Sequence, residues 1–319
     1  MITLGIESTA HTLGIGIKIG DKLVNVLDTY QGSYIPRDLA EHHAKFFRPL
    51  LESALSSAEI SLRDINLIAV SQGPGIGAPL SFGVGMANYL SYKLNIPVIG
   101  VNHGYAHVKI VEFTNRRSGD LALYISGGNT MILRVRDLKI IGETLDMGIG
   151  NMLDKAARHL GLRNAADLER LALQHDNYLE FPYTVKGMNT TFAGIFTYFV
   201  NRANKKLDRV ENLAYSLFHT SFSMLLETLA RAVFAYNADS VIVCGGVAQS
   251  RILNEMLDKF SKQYGVEILR TDNMYNRDNG AMIAVLGEEL YMQGYRSSYP
   301  LEAIPRYRVS DSLKHYFNR

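Results

Sequence analysis

The feature that most narrows the possible folds is a pattern that occurs twice. Residues 1 to 29 read as strand, turn, strand, turn, strand: MITLGIEST, then HTLGIGIKIG, a hairpin turn at Gly20-Asp21-Lys22, and LVNVLDTY. Residues 120 to 146 repeat it as DLALYISGGNT, MILRVR, a turn at Asp137-Leu138-Lys139, and IIGETLD. Both copies place small and hydroxyl residues at the first turn, and both are followed by helical periodicity, over 38–57 and 149–174. The repetition predicts an internal duplication, with one copy opening each of two α/β lobes; two unrelated meanders are the alternative. Further on, INLIAVSQGPGIG, SFGVGMANYLSYKLN and PVIGVNH form a βαβ unit. Residues 208–237 are helical, SVIVCGG is a buried strand opening onto a helix over 249–264, and GAMIAVLGEELYMQG is a final long helix.

A chain of 319 residues fits two packed lobes better than one small core. Its 47% hydrophobic and 20% charged residues are those of a globular protein. No apolar run approaches the roughly 20 residues that span a bilayer, and no secretory signal opens the chain, so no membrane partner and a cytoplasmic location are expected. The single cysteine, Cys244, excludes an internal disulfide and a cysteine-based zinc site. A metal here must use His, carboxylate, Tyr or backbone oxygen. Net charge is +2, with basic residues dense at Arg116-Arg117, from Arg202 to Arg209 and from Arg296 to Arg319. That permits an anionic partner without requiring one.

Five constellations carry chemistry. Asn102-His103-Gly104-Tyr105-Ala106-His107 puts two imidazoles at i and i+4; if helical, they share one face and can share a metal. A peptidase of the His-Glu-x-x-His kind needs a glutamate where Gly104 stands. Tyr124-Ile125-Ser126-Gly127-Gly128-Asn129-Thr130 ends a strand in a turn of successive backbone N–H groups suited to phosphate or carboxylate, or forms a plain hairpin turn. Cys244-Gly245-Gly246-Val247-Ala248 lets a strand-to-helix backbone approach a nucleotide closely. Ser71-Gln72-Gly73-Pro74-Gly75-Ile76-Gly77 is another loop rich in donors. Asp278, before Asn279-Gly280-Ala281, is either a helix N-cap or a hard oxygen ligand.

Taken in order along the chain, GIESTAHT, SQGPGIG, NHGYAH, LYISGGNT, GETLDMGIGNMLDK, VKGMNTTFAG, CGGVA and DNGAMIA resemble the TsaD/KEOPS catalytic-subunit family of tRNA N6-adenosine threonylcarbamoyltransferases. The tyrosine before SGGNT points to the archaeal and eukaryotic branch. The resemblance implies two duplicated actin/Hsp70-like (ASKHA) lobes with a nucleotide and metal cleft between them: residues 1–119 with about 285–319, and residues 120–284. It implies transfer of a threonylcarbamoyl group from threonylcarbamoyl-AMP to the exocyclic amine of adenosine 37 in tRNAs decoding ANN codons, with release of AMP. By position, the metal ligands would be His103, His107, Tyr124 and Asp278, holding one divalent ion per subunit, with Fe(II) favoured and Zn(II) the other choice. Tyr124 to Gly128, Asp154 and Glu169 would contact the adenine nucleotide (threonylcarbamoyl-AMP, or ATP in its place), with Gly245, Gly246 and Ser250 completing that site. The implied partners are tRNA, an atypical small protein kinase and the small dimerising subunit of the KEOPS complex. In some archaea the kinase is fused to the C-terminus, after a closing motif that Pro305-Arg306-Tyr307-Arg308-Val309 resembles.

Two departures touch the nucleotide end. Leu162 to Asp167 replaces a His-Pro-Gly-Gly segment, and Ser250 stands where the family carries an asparagine. Catalysis is assigned to the metal centre and no general base is named, although His11, His42 and His43 lie in or just after the first meander. A small-molecule kinase of the same superfamily and a nucleotide-binding scaffold are the competing functions.

Overall fold

Strands β1 (Ile2–Glu7), β2 (Thr12–Ile19) and β3 (Lys22–Thr29) form the first meander, with Glu7 opposite Gly14 and Thr12 opposite Thr29. Helix α1 (Pro36–Ala58) starts on a proline, whose missing N–H costs nothing in a first turn. Then follow β4 (Leu67–Gly73), α2 (Gly77–Leu94), β5 (Val98–Asn102) and, with no intervening loop, α3 (His103–Asn115). The sheet order is β3-β2-β1-β4-β5, with β1, β4 and β5 parallel. This computed structural model describes residues 1–32, 35–206 and 208–317; Arg319, at the end of the basic tail, lies outside them.

The second meander is β6 (Leu121–Ile125), β7 (Thr130–Arg134) and β8 (Lys139–Glu143). It continues through α4 (Ile149–His159), α5 (Ala165–Ala172), the short pair β9 (Val185–Lys186) and β10 (Asn189–Thr190), α6 (Ala193–Lys205) and α7 (Val210–Tyr236). Strand β11 (Ser240–Cys244), α8 (Arg251–Tyr264), β12 (Glu267–Leu269) and α9 (Asn273–Asn276) close it. Its sheet, read from one edge, is β8-β7-β6-β11-β12, with β6, β11 and β12 parallel. That is the strand order of the first sheet, so the duplication extends from three strands to five. One difference from the sequence pattern is the expected helix over 149–174, which is broken. Gly161 turns the chain at φ +75° and Asn164 starts α5 afresh by accepting the Asp167 N–H at 3.1 Å.

Two compact units result, Met1–Arg116 with Arg277 onward, and Arg117–Asn276. Each has its own apolar core. The chain returns to the first unit at Arg277, earlier than the boundary near 285 that the sequence suggests, because helix α10 (Gly280–Met292) lies on β1 and β2 from its first turn. A final short helix, α11 (Ser312–Phe317), ends the described chain. The seat of α10 is made by glycines. A methyl group on Gly16 would lie 2.1 Å from the Ala281 nitrogen, and one on Gly280 would lie 2.1 Å from the Gly16 nitrogen. Thr3 and Lys18 hold the far half of α10 through Glu288, at 2.7 and 2.5 Å.

Replacing Gly16 by alanine forces these backbones apart and costs about 3 kcal/mol or more of stability. Thermal or denaturant melting of G16A, read beside the exposed helical variant Gly85→Ala, whose added methyl group meets nothing within 4 Å, measures it; an unchanged midpoint for G16A refutes the account of the seat.

Candidate metal centre and nucleotide turn

Asn102 ends β5 and caps α3, its Oδ1 accepting the Tyr105 N–H at 3.0 Å. His103 is therefore the first residue of a helix, not the last of a strand, and His107 follows one turn later on the same face. Asp278 is not the N-cap of α10: Asn279 fills that place, accepting the Met282 N–H at 2.9 Å. The Asp278 carboxylate is thereby left to face the histidines. Its Oδ1 lies 3.5 Å from His103 Nε2 and 3.2 Å from His107 Nε2. One ligand atom from each of the three residues lies within 4.8 Å of the other two, a set that could hold a metal ion. A second tie holds the two helices together, since the Lys109 ammonium of α3 reaches Glu112 at 2.7 Å and Glu289 of α10 at 2.8 Å.

Behind His103 stands Glu7, the last residue of β1, with no solvent exposure. Its Oε2 accepts from His103 Nδ1 at 2.9 Å, and its Oε1 accepts from the Thr9 N–H at 2.8 Å and the Thr9 hydroxyl at 2.5 Å. A carboxylate on Nδ1 fixes the imidazole so that Nε2 points to the ligand position and becomes more basic. Burial opposes the charged form of His103, but Glu7 and then Asp278 outweigh it and lift the imidazole to about 9. Burial dominates at His107 and lowers it, although Asp278 pulls the other way. Asp278 is resisted by burial yet held well below the usual carboxylate range by the two histidines.

The remaining expected site residues lie in the second unit. Tyr124, expected as the fourth ligand, is a buried residue of β6, with its hydroxyl 3.5 Å from Asn129 Nδ2. Ile125 is buried at the strand end. Ser126 spends its N–H on the Asn129 carbonyl at 2.8 Å, while Gly127 and Gly128 are exposed. The carbonyls of Ser126 and Gly127 accept the N–H groups of Gly150 and Asn151, at 3.3 and 2.9 Å, so the turn and the start of α4 hold each other. The parallel neighbour β11 ends beside it, with Cys244 opposite Tyr124. Gly245 is required by the fold, at φ +96° and with a Cβ that would meet the Ile125 oxygen at 2.3 Å. Gly128 and Gly246 differ, since a Cβ at either would meet no protein atom within 4 Å.

Asp154, Glu169 and Ser250 have internal partners. Asp154 accepts the Ala165 N–H at 2.8 Å, at the start of α5. Ser250 caps α8, accepting the Leu253 N–H at 3.1 Å and donating to Glu169 Oε1 at 2.5 Å; that same oxygen accepts the Ile252 N–H at 3.0 Å. The Ser71–Gly77 loop also spends donors internally, with the Ile76 N–H on Thr9 O at 2.7 Å and the Gly75 N–H on Pro305 O at 3.2 Å. In the first unit His42 is paired with Asp28 at 2.7 Å, and His43 is buried at 3.3 Å from the Ser8 hydroxyl and lowered to about 4 by burial.

The profile of TsaD, described as tRNA N6-adenosine threonylcarbamoyltransferase, matches residues 22–285. The chain belongs to this family. It is 44% identical over 304 residues to the tRNA N6-adenosine threonylcarbamoyltransferase of Thermococcus gammatolerans, covering 93% of each chain. It is 39% identical over 328 residues to a probable bifunctional tRNA threonylcarbamoyladenosine biosynthesis protein of Methanothermobacter thermautotrophicus, with 98% of this chain covering 60% of that one. Among solved structures, HypF of T. kodakarensis aligns with 94% of this chain and 49% of its own length at a TM-score of 0.68 and 15% identity, a likeness of fold. The fold is the duplicated actin/Hsp70-like architecture. Among the described residues no helix is long and apolar enough to cross a membrane.

Within this TsaD-family chain, sequence reasoning missed Glu7 behind His103 and the capping roles of Asn102 and Asn279. A signal for Glu7 was available: it is the one charged residue in the apolar strand ITLGIE, and it precedes a hydroxyl turn. Because Glu7 and Asp278 keep His103 protonated up to about 9, a divalent ion must expel that proton to bind. The apparent affinity of the metal-free chain for zinc should therefore rise about tenfold per pH unit between pH 6 and 8, read by chelator competition. Glu7→Gln should flatten that slope and bring the His103 titration down, read by NMR. A pH-independent affinity refutes the assigned protonation.

Proposed function

We propose that this chain transfers the threonylcarbamoyl group of threonylcarbamoyl-AMP to the exocyclic amine of adenosine 37 in tRNAs decoding ANN codons, releasing AMP. The observation that carries the reading is the convergence of His103, His107 and Asp278 beside a buried Glu7, in a chain of the tRNA N6-adenosine threonylcarbamoyltransferase family. Two imidazoles and a carboxylate suit Fe(II) or Zn(II) better than copper(I), with Fe(II) favoured; Tyr124 is proposed as the fourth ligand. Such an ion, when bound, supplies Lewis acidity and a template, worth several kcal/mol where charge develops on an acyl oxygen.

The chain's own residues do the rest. Glu7 holds the His103 ring with Nε2 forward, and Asp278 adds the compensating negative charge. Gly127 and Gly128 offer exposed backbone N–H groups to the adenylate phosphate, and Gly246 leaves the neighbouring strand end open to the nucleotide. The Ser126 N–H is spent on the Asn129 carbonyl and its hydroxyl oxygen accepts the Asn129 N–H, so its hydroxyl hydrogen is the group it offers the nucleotide. Asp154, Glu169 and Ser250 bound the ribose and adenine end through the carboxylate oxygens and faces that helix capping does not use. The adenine amine is a weak nucleophile because its lone pair is delocalised, so orientation and stabilisation of the leaving phosphate carry the rate. Attack is direct on the adenylate, with no covalent intermediate on the protein.

The chain works in the cytoplasm with an atypical small protein kinase and the small dimerising subunit of the KEOPS complex. The bifunctional relative, whose length this chain covers to 60%, supports a partner domain placed next in line.

The test is reconstitution with tRNA, threonine, bicarbonate, ATP, the adenylate-forming enzyme and the partner subunits, reading the modified nucleoside by mass spectrometry. His107→Ala should lower the rate roughly hundredfold or more, equivalent to about 3 kcal/mol. Undiminished modification by H107A in an intact assembly would favour the scaffold reading. Gly128→Ala should leave the melting midpoint unchanged, because the methyl group meets nothing, while nucleotide affinity drops about tenfold through lost backbone approach. Equal nucleotide binding by G128A removes that turn from the site.

A further inference from the structure

Strand β5 is an edge strand, so the N–H groups on its outer side have no neighbouring strand to receive them. They fall on alternate residues, and those of Gly100 and Asn102 are satisfied by hydroxyls of the C-terminal segment. The Gly100 N–H donates to Ser297 Oγ at 3.1 Å and the Asn102 N–H to the Tyr316 hydroxyl at 2.6 Å. Asn102 is wholly buried, and its side-chain amide donates to the Tyr307 carbonyl at 3.0 Å. The same segment is laced to the end of β4 and the loop after it: the Ile304 N–H donates to Gln72 O at 2.7 Å, Gln72 Nε2 to Glu302 O at 2.8 Å, and the Gly75 N–H to Pro305 O at 3.2 Å. Residues 297–316 thus form a strap across the carboxyl ends of β4 and β5. Two of its ties end on the single residue that precedes His103 and caps its helix.

We propose that Tyr316 is a positioning residue for the metal centre: its hydroxyl fixes the start of α3 and with it the pose of His103 and His107. The proposal rests on the metal reading above and adds to it a remote determinant of that site. Tyr316 is itself buried, and its hydroxyl acts through Asn102. Removing its oxygen leaves the wholly buried Asn102 N–H without its acceptor, so the residue must shift to recover a bond. A shift there is carried directly into His103, whose ring has to meet both Glu7 and Asp278.

The experiment titrates Co(II) into the full-length, metal-free chain and follows its visible d–d absorption, whose intensity and position report ligand geometry. Tyr316→Phe should bind cobalt about tenfold more weakly, the scale of lost outer-sphere support, with an altered band. Ser297→Ala cuts the other hydroxyl tie, two residues upstream, and should keep affinity within about twofold with the native band. Melting of each variant is recorded alongside. Native affinity and native band in Y316F overturn the proposal, whatever happens to its melting midpoint, because a merely structural tyrosine would move only the latter. His103→Ala separates the two levels. If H103A still binds cobalt like the unaltered chain, the metal reading fails; if it does not bind and Y316F is native, only the role of Tyr316 fails. On the unaltered chain, hydrogen exchange of the Asn102 amide should slow about tenfold with cobalt bound, by reciprocal linkage, and an unchanged rate counts against the coupling.

Discussion

The contact on which the first unit depends is backbone against backbone. Helix α10 lies on β1 and β2 at a distance that only glycines permit, with Gly5, Gly16 and Gly280 at the closest points. Side chains elsewhere could be exchanged for others of similar volume, but here there is no room for a single carbon. That approach places residue 278, one position before the N-cap of α10, beside the first turn of α3. The cluster of His103, His107 and Asp278 is therefore not a feature of one motif. It is where a helix N-terminus from the end of the chain is pressed against a helix N-terminus from its first third, with the end of β1 beneath both.

A buried carboxylate is costly unless compensated, and Glu7 has no exposure at all. Its compensation is divided between Thr9, which supplies two donors to one oxygen, and His103, which supplies one to the other. The arrangement fixes the orientation of the His103 ring and enhances its basicity. It also couples the order of the β1 turn to the order of the ligand. His107, with burial as its dominant influence, is the less basic of the pair, so the two imidazoles are electrically unequal before any ion arrives.

The two sheets share one topology and differ in the residues it carries. In both, parallel strands end side by side at one edge, the edge at which open α/β sheets receive ligands. In the first unit that edge carries Glu7 and leads into His103. In the second it carries the Ser126–Asn129 turn and the Gly245–Gly246 step. The divergence lies in residue type at equivalent places: titratable side chains in one copy, and glycines with exposed backbone in the other. Much of the polar apparatus around the second edge serves the fold as well. Asp154 and Glu169 each satisfy a helix N–H, and Asp146 accepts the Phe192 and Ala193 N–H groups at the start of α6, where the residue at the N-cap has no side-chain acceptor.

The sequence by itself determined the duplicated meanders, because alternating apolar residues and turn residues are local signals with a period of two. It also determined that His103 and His107 share a face once helical, that no cysteine could join the site, and, through its ordered motifs, the family. It left Asp278 undecided between cap and ligand, since Asp278 and Asn279 are both good caps and only the packed helix chooses one. It could not reveal that Glu7 stands behind His103, 96 residues away in the chain, or that Tyr316 closes the edge of β5. Those facts come from tertiary structure alone, because a hydrogen bond between distant residues leaves no periodicity in the sequence, and burial, which decides its strength and the basicity of the groups it joins, exists only after the chain has packed.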